Sequence, residues 1–449
     1  MEKRPVRSPV SDDTIYALSS GRVPAAIAVV RISGPKARVG LETIAGTIPE
    51  PRRAKRATFR EPVSGDVIDD GLVLWFPAPG SATGEDVAEL HLHGGRAILS
   101  AVFQVLGDID GFRPAQAGEF TRRALASNKL DLAAVEGLGD LIAAETAAQR
   151  RQAMAQYRGA LSHRVDAWRT RLIEAMALVE AAIDFSDEGD VPQSLLTPAA
   201  EIARELGMEI RGALDDARRG ERLRDGFVVA IAGAPNVGKS TLLNRLAERE
   251  VAIVSASPGT TRDMIEVALD LGGVPVVLVD TAGVRETDDP VESEGVRRAL
   301  ARAEAADLVL WLVDASGAES ERAVASRSIE VWTKIDLLDS EAQRALAEQG
   351  SIRISAKSGA GMDELIAILA REASALAGEP ALVTHERQRH ALKEAVERIE
   401  GALEIAGAGR EELFAEELRL AARAVGRITG AVGVEEVLDA IFRNFCVGK

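Results

Sequence analysis

The sequence predicts a multidomain α/β protein: an N-terminal α+β domain, then a helical domain interrupted by an inserted α/β unit that carries a phosphate loop. Three changes of texture predict it. Short β-rich runs with Gly and Pro turns come first, apolar residues at helical spacing follow, and strands alternating with helices then occupy the middle before helical texture returns. The expected boundaries are 1–127 for the α+β domain, 128–223 for the first helical part, 224–376 for the inserted unit and 377–449 for the second helical part.

In the first domain, IAVVRI (27–32) and DGLVLWF (70–76) read as strands. In the helical part, Leu132, Val135, Leu138 and Ile142 share a face, as do Leu172, Met176, Val179 and Ile183, and then Ile202, Leu206, Ile210 and Leu214. The runs FVVAIAG, MIEVALDL, VPVVLVD, DLVLWLVD, SIEVWTK and SIRISA predict a mostly parallel sheet. Past residue 377, Leu392, Val396, Ile399 and Leu403 fall in helical step, and Leu438, Ile441 and Phe442 continue the pattern.

Composition narrows the classes. With 449 residues and 46% apolar content the chain can bury real cores, and its one cysteine, Cys446, excludes a disulfide within the chain. No apolar run reaches the roughly 18 to 20 residues of a membrane span, and MEKRPVRSPVSDD has no apolar signal core, so a cytoplasmic protein without membrane contact is expected. A net charge of −16 argues against coating nucleic acid by bulk electrostatics, although a local patch such as PRRAKRATFR (51–60) leaves room for a folded RNA.

The chemistry concentrates in the inserted unit. GAPNVGKS (233–240) matches G-x-x-x-x-G-K-[ST] between the strand FVVAIAG and the helical TLLNRLA, the context that makes this motif specific. Backbone N–H groups from Asn236 to Thr241, Gly238 and Val237 included, can close on phosphates, Lys239 can reach the β and γ phosphates, and Ser240 can hold Mg²⁺. SPGTTRD (257–263) adds Pro258, Gly259 and the hydroxyls of Thr260 and Thr261. DTAG (280–283) follows a strand and offers Asp280 to the metal and Gly283 to the γ phosphate, with Thr281 and Ala282 between them. TKID (333–336) supplies Thr333, Lys334, Ile335 and Asp336, whose carboxylate selects guanine by accepting from its N1–H and amine. Ser355, Ala356 and Lys357 (SAK) can add a backbone contact to the base. One such element is weak evidence, but five in order across residues 233–357 predict a Ras-like GTPase domain of the translation-factor type. The first motif position of TKID is usually Asn; Thr333 is expected to cost a structural hydrogen bond more than base specificity, which Asp336 carries.

Hydrolysis needs a group to orient water. After DTAG stands Val284, which cannot do so, leaving Glu286, Glu292 and Glu294 in VRETDDPVESEG as candidates. Asn236 could place a carboxamide oxygen where a monovalent cation neutralises developing charge. A ribosome-assembly GTPase shares these motifs, but usually with a second GTPase domain or an RNA-binding KH module; a non-hydrolysing GTP-binding scaffold is the other alternative, suggested by Val284.

With these motifs in place the chain resembles the MnmE (TrmE) family of bacterial tRNA-modification GTPases over essentially its whole length. DTIYAL…AAIAVVRISG, TGEDVAELHLHGG (83–95), AGEFTRRALASNKLDLAAVEGLGDLI (117–142) and the terminal CVGK carry the likeness. It implies a potassium-activated GTPase whose G domains meet across a homodimer. Asn236 and the backbone of Ser255, Ser257 and Thr260, around Ala256, would then hold K⁺; Ser240 and Thr261 would hold Mg²⁺; and Glu292 would be the catalytic carboxylate beside Lys239. It further implies an N-terminal site for a folate, 5,10-methylene-tetrahydrofolate (5-formyl-tetrahydrofolate as analogue), made by Arg31, Glu89, Lys129 and Lys449, with Cys446 a candidate catalytic thiol. His91 and His93 alternate beside Glu89 and read as structural. The loop SSGRVPAA departs from the family's PPGxGG. The likeness also implies a partner, MnmG, which holds FAD in a heterotetrameric complex with this chain, and wobble uridine of tRNA as the target.

Overall fold

In the N-terminal region, alternating burial sets the strands. Along β5 (Val87–Gly94) Ala88, Leu90 and Leu92 are buried while Glu89, His91 and His93 lie on the other face, and β2 (Ala25–Ser33) buries Ala28, Val30 and Ile32 in the same way. With β1 (Thr14–Leu18), β3 (Lys55–Arg60), β4 (Val67–Phe76) and β6 (Phe112–Pro114) they form a sheet in the order β3-β4-β5-β2-β1-β6. All its pairings are antiparallel except β1 with β6. Helices α1 (Ala37–Ala45) and α2 (Arg96–Gly107) close its inner face over Tyr16, Phe59, Trp75, Leu90 and Leu106. Helix α3 (Glu119–Ala126) lays Phe120 against Ile15 and Ala17 on the opposite face.

A buried ion network fastens α3. Arg123, 8% exposed, donates to Asp13, Glu85 and Glu119, and Arg113 also reaches Asp13 and Glu119. Burial opposes the charge on Arg123, yet Glu85 and Glu119 raise its pKa and keep it cationic.

The computed structural model describes residues 12–184, 191–249, 251–253, 266–280, 306–317, 327–348, 351–376, 378–406, 409–431 and 448. Contacts group the chain into two compact units, Met1–Gly139 with Ser162–Arg169 and Arg423–Lys449, and Asp140–Leu161 with Thr170–Ala422.

The helical stretches predicted from spacing are α4 (Leu132–Ala143), α6 (Ala160–Asp184) and α7 (Val191–Asp215), with α5 (Ala147–Tyr157) and α8 (Ala217–Asp225) beside them. The inserted sheet runs β7 (Phe227–Gly233), α9 (Lys239–Ala247), β8 (Glu266–Leu271), β9 (Val274–Asp280), β10 (Leu308–Asp314), β11 (Ser328–Thr333), α10 (Ser340–Glu348), β12 (Ile352–Arg353) and α11 (Met362–Ala373). Its order is β12-β11-β10-β7-β9-β8, parallel except for β8 with β9, as the alternating strands and helices predict. β7 lies where the order reverses, so the carboxyl end of this sheet is where a ligand crevice forms. α12 (Glu386–Ile405) and α13 (Glu411–Thr429) complete the described helices, and α12 packs Leu392 and Ile399 along α7, where Leu206 and Ile210 are fully buried. Leu438, Ile441 and Phe442 lie outside the described residues.

One helix stitches both ends of the insert. Gln149, Gln152 and Gln156 of α5, at i, i+3 and i+7, share a face. Gln149 Nε2 donates to the Arg224 carbonyl (2.9 Å), Gln152 Nε2 to Gly220 (2.9 Å), and Gln156 Nε2 to Leu382 (2.6 Å). The first two carbonyls precede β7 and the third follows α11. Gly220 backs onto the returning chain so closely that a Cβ would lie 2.2 Å from the Val383 carbonyl oxygen. His385 Nε2 and Asp140 add a contact of 2.9 Å on the same side.

Candidate nucleotide and folate sites

The phosphate loop bends where only special residues fit. At Gly233 (φ +145°) a Cβ would lie 2.5 Å from the Leu312 carbonyl oxygen, so the loop leaves the sheet through a glycine. Asn236 (φ +62°) is left-handed, a conformation Asn tolerates, and Gly238 (φ +103°) caps α9. The first N–H groups of α9 therefore point toward the loop's concave side, the arrangement that binds phosphate. Lys239 Nζ donates to the carbonyls of Gly233 (2.8 Å) and Ala234 (2.9 Å) and so lies within the curl of the loop. Ser240 Oγ stands 3.4 Å from Asp280 Oδ2, because β7 and β9 are paired with Ile231 opposite Asp280. A hydroxyl and a buried carboxylate converging on the phosphate end suit a hard divalent cation such as Mg²⁺.

The base side is assembled from three strand ends. Lys334, left-handed at φ +58°, opens a turn of 3₁₀ helix, Ile335–Leu337, that leaves Asp336 exposed beside the crevice. The Ile335 N–H donates to the Ile354 carbonyl (3.4 Å), and the buried Ser355 braces its own loop through Ser358 N–H to Oγ (3.1 Å). Ala356 and Lys357 follow. SIRISA thus contributes only the short strand Ile352–Arg353, because the chain turns into this loop at Ser355. Thr333 Oγ1 keeps a link to the phosphate loop, 2.7 Å from the Val237 carbonyl. It is the single donor expected of a hydroxyl where a carboxamide would offer two.

Asp314 was not singled out by sequence reasoning. It ends β10 opposite Thr333 and accepts from Lys334 Nζ (2.6 Å) and from Ser316. Burial alone would raise its pKa, but Lys334 and Ser316 hold it below the usual carboxylate range. An acid ending a strand beside the base loop was the available signal.

In the N-terminal region, register places Arg31 opposite Glu89 on neighbouring strands. Arg31 Nε and Nη2 both donate to Glu89 Oε1 (3.0 and 2.9 Å), and the guanidinium lies 5.8 Å from the Phe120 ring centre. The cation and anion expected at the folate site are thus brought together and paired with each other beside an aromatic ring. Lys129 is exposed just after α3, past the left-handed Asn128, and no hydrogen bond joins it to that pair among the described contacts. His91 stands 3.5 Å from Glu89, His93 donates its backbone N–H to Asp69, and no group of three metal-ligating side chains occurs among the described residues.

The chain's end reaches this region. Ser19 Oγ donates to the Gly448 carbonyl (2.8 Å), and Gly448 (φ +102°) is buried against Leu18. The loop SSGRVPAA thus holds Gly448 through Ser19, a role that its sequence did not announce. Of the residues expected to act, Ser255, Ala256, Ser257, Pro258, Gly259, Thr260, Thr261, Thr281, Ala282, Gly283, Glu286, Glu292, Glu294, Cys446 and Lys449 lie outside the described residues. No described helix is long and apolar enough to cross a membrane.

Residues 14–129 match the model described as "GTP-binding protein TrmE N-terminus", and 132–446 match "MnmE helical domain". A tRNA modification GTPase MnmE from Azorhizobium caulinodans is 59% identical over 98% of this chain and 99% of its own length. Its counterpart from a Bradyrhizobium species is 55% identical over the same shares. Among solved structures, the G domain of the T. maritima FeoB iron transporter is 26% identical, covering 32% of this chain and 98% of its own, with a TM-score of 0.22.

Proposed function

The chain belongs to the MnmE (TrmE) family, and from that premise we propose that it is a GTPase of tRNA modification, cleaving GTP while tRNA wobble uridine receives a one-carbon unit from folate. The observation that carries the GTPase reading is the convergence of Lys239, Ser240 and Asp280 at one end of the sheet, with Asp336 at the same carboxyl edge.

In the reaction, the α9 N–H groups and Lys239 would bind the β and γ phosphates and stabilise the charge that gathers as the γ phosphoryl leaves. Ser240, with Thr261, would hold Mg²⁺, with Asp280 behind it, and Asn236 with the Ser255, Ser257 and Thr260 backbone would hold K⁺. The two cations supply charge neutralisation when bound. Glu292 would orient or deprotonate the attacking water, since Val284 cannot. Asp336 selects guanine. For the modification, Arg31, Glu89, Lys129 and Lys449 would seat 5,10-methylene-tetrahydrofolate, with Cys446 a candidate thiol near it. We further propose a homodimer that works in the cytoplasm with an FAD-holding partner of the MnmG type.

Two measurements test this. GTPase activity should be higher in KCl than in NaCl and fall when Glu292 becomes Ala; hydrolysis in neither salt would favour a non-hydrolysing scaffold. Nucleoside analysis of tRNA from cells lacking the protein should show loss of 5-aminomethyl-type wobble uridines, and their persistence at normal level would overturn the modification role.

A further inference from the structure

Thr333 stands at the meeting of the phosphate loop, the end of β10 and the base loop. It is 4% exposed, and its Oγ1 lies 2.7 Å from the Val237 carbonyl and 3.1 Å from the Val313 carbonyl. Both neighbours are acceptors, and a hydroxyl has one proton, so at any moment Thr333 bonds one of them. Val237 adjoins Asn236 and Gly238 in the phosphate loop. Val313 adjoins Asp314, which holds Lys334. The segments that grip the two ends of a nucleotide are therefore joined at this point through one shared O–H.

We infer that Thr333 is a positioning residue that sets how fast a guanine nucleotide leaves, by supplying a single bond where the geometry presents two acceptors. It would act through Val237 and Val313, the carbonyls its hydroxyl faces. The inference rests on the reading of this domain as a guanine-nucleotide site. An asparagine here would bring two N–H donors on an arm of similar size, enough for both carbonyls. Opening of the site for release would then break one more hydrogen bond, and release should slow about two- to twelvefold, the equivalent of about 0.5–1.5 kcal/mol at 1.4 kcal/mol per decade.

The test uses the full chain and stopped-flow release of a fluorescent N-methylanthraniloyl GDP, chased with unlabelled GDP. Thr333→Asn should slow release by about two- to twelvefold, and Thr333→Val should speed it by a similar factor. Thr333→Ser, which keeps the hydroxyl, should stay within about twofold of the parent rate. A residue serving only to fill space would give no variant that holds GDP more tightly than the parent. Release from Thr333→Asn as fast as from the parent overturns the inference. So does equal release from the Val and Ser variants, a comparison that stands even if Thr333→Asn fails to fold. Failure of the parent chain to bind the GDP probe would overturn the guanine-nucleotide reading instead.

Discussion

Gly448→Ala isolates the contribution of the chain's end to the N-terminal site. At φ +102° an L-residue is strained by about 1–2 kcal/mol. Its Cβ would also lie 2.0 Å from the Leu18 carbonyl oxygen, a clash with backbone that only withdrawal of the tail relieves. Withdrawal breaks the Ser19–Gly448 bond, worth about 0.5–1.5 kcal/mol. That bond holds the docked state of both chains alike, so the strain, about 1–2 kcal/mol, sets the change and shifts the docked-to-undocked ratio by roughly five- to thirtyfold. If Lys449 serves the folate site, 5-formyl-tetrahydrofolate measured by titration calorimetry should bind more weakly, by up to that factor. GTP hydrolysis on the inserted domain should change little. A folate affinity equal to that of the parent chain, with tRNA modification intact, would refute the idea that tail docking builds the site.

Other outcomes follow from the network at α3 and the glutamines of α5. Arg123→Met leaves Asp13, Glu85 and Glu119 without their shared buried cation and should cost about 3–5 kcal/mol in urea unfolding of the N-terminal region. Burial tends to raise the pKa of Glu119, but hydrogen bonds from Arg113, the Gln116 N–H and Arg123 hold it below its ordinary value. A depressed carboxylate stabilises the fold above its unfolded pKa of about 4.3, and that stability is lost as pH falls through the lower folded value. The melting temperature should therefore hold from pH 7 to about 5 and drop below about pH 4, with a shallower drop in Glu119→Gln. Gln152→Leu removes the donor to the Gly220 carbonyl and should destabilise by about 1–3 kcal/mol, read by denaturant unfolding of the full chain.

What sequence could show was set by how local each feature is. The phosphate loop, Asp280 and TKID were legible because contiguous residues fix their turns, and alternation fixed which face of β5 carries Glu89. Thr333 was legible as a departure, although its two carbonyl neighbours were not. Asp314 meets Lys334 across 20 residues, Gln156 meets Leu382 across 226, and Ser19 meets Gly448 across 429. No periodicity encodes such pairs, since only the folded topology decides which polar groups share a buried place. The three glutamines of α5 stand where apolar residues would ordinarily mark a packed face, and that absence was the trace they left in the sequence.

Across the joint, the amide nitrogens of those glutamines donate to main chain. Each amide bonds a carbonyl, and a carbonyl is the same whatever side chain its residue bears. These three bonds are thus blind to side-chain identity, while Ala148 and Leu223 pack into the inserted sheet's core, Arg222 pairs with Asp307, and Gly220 is the position that steric crowding reserves. Drift in the guest's sequence would leave those three bonds unchanged and would be felt instead where Ala148 and Leu223 pack and at Asp307, the partner of Arg222.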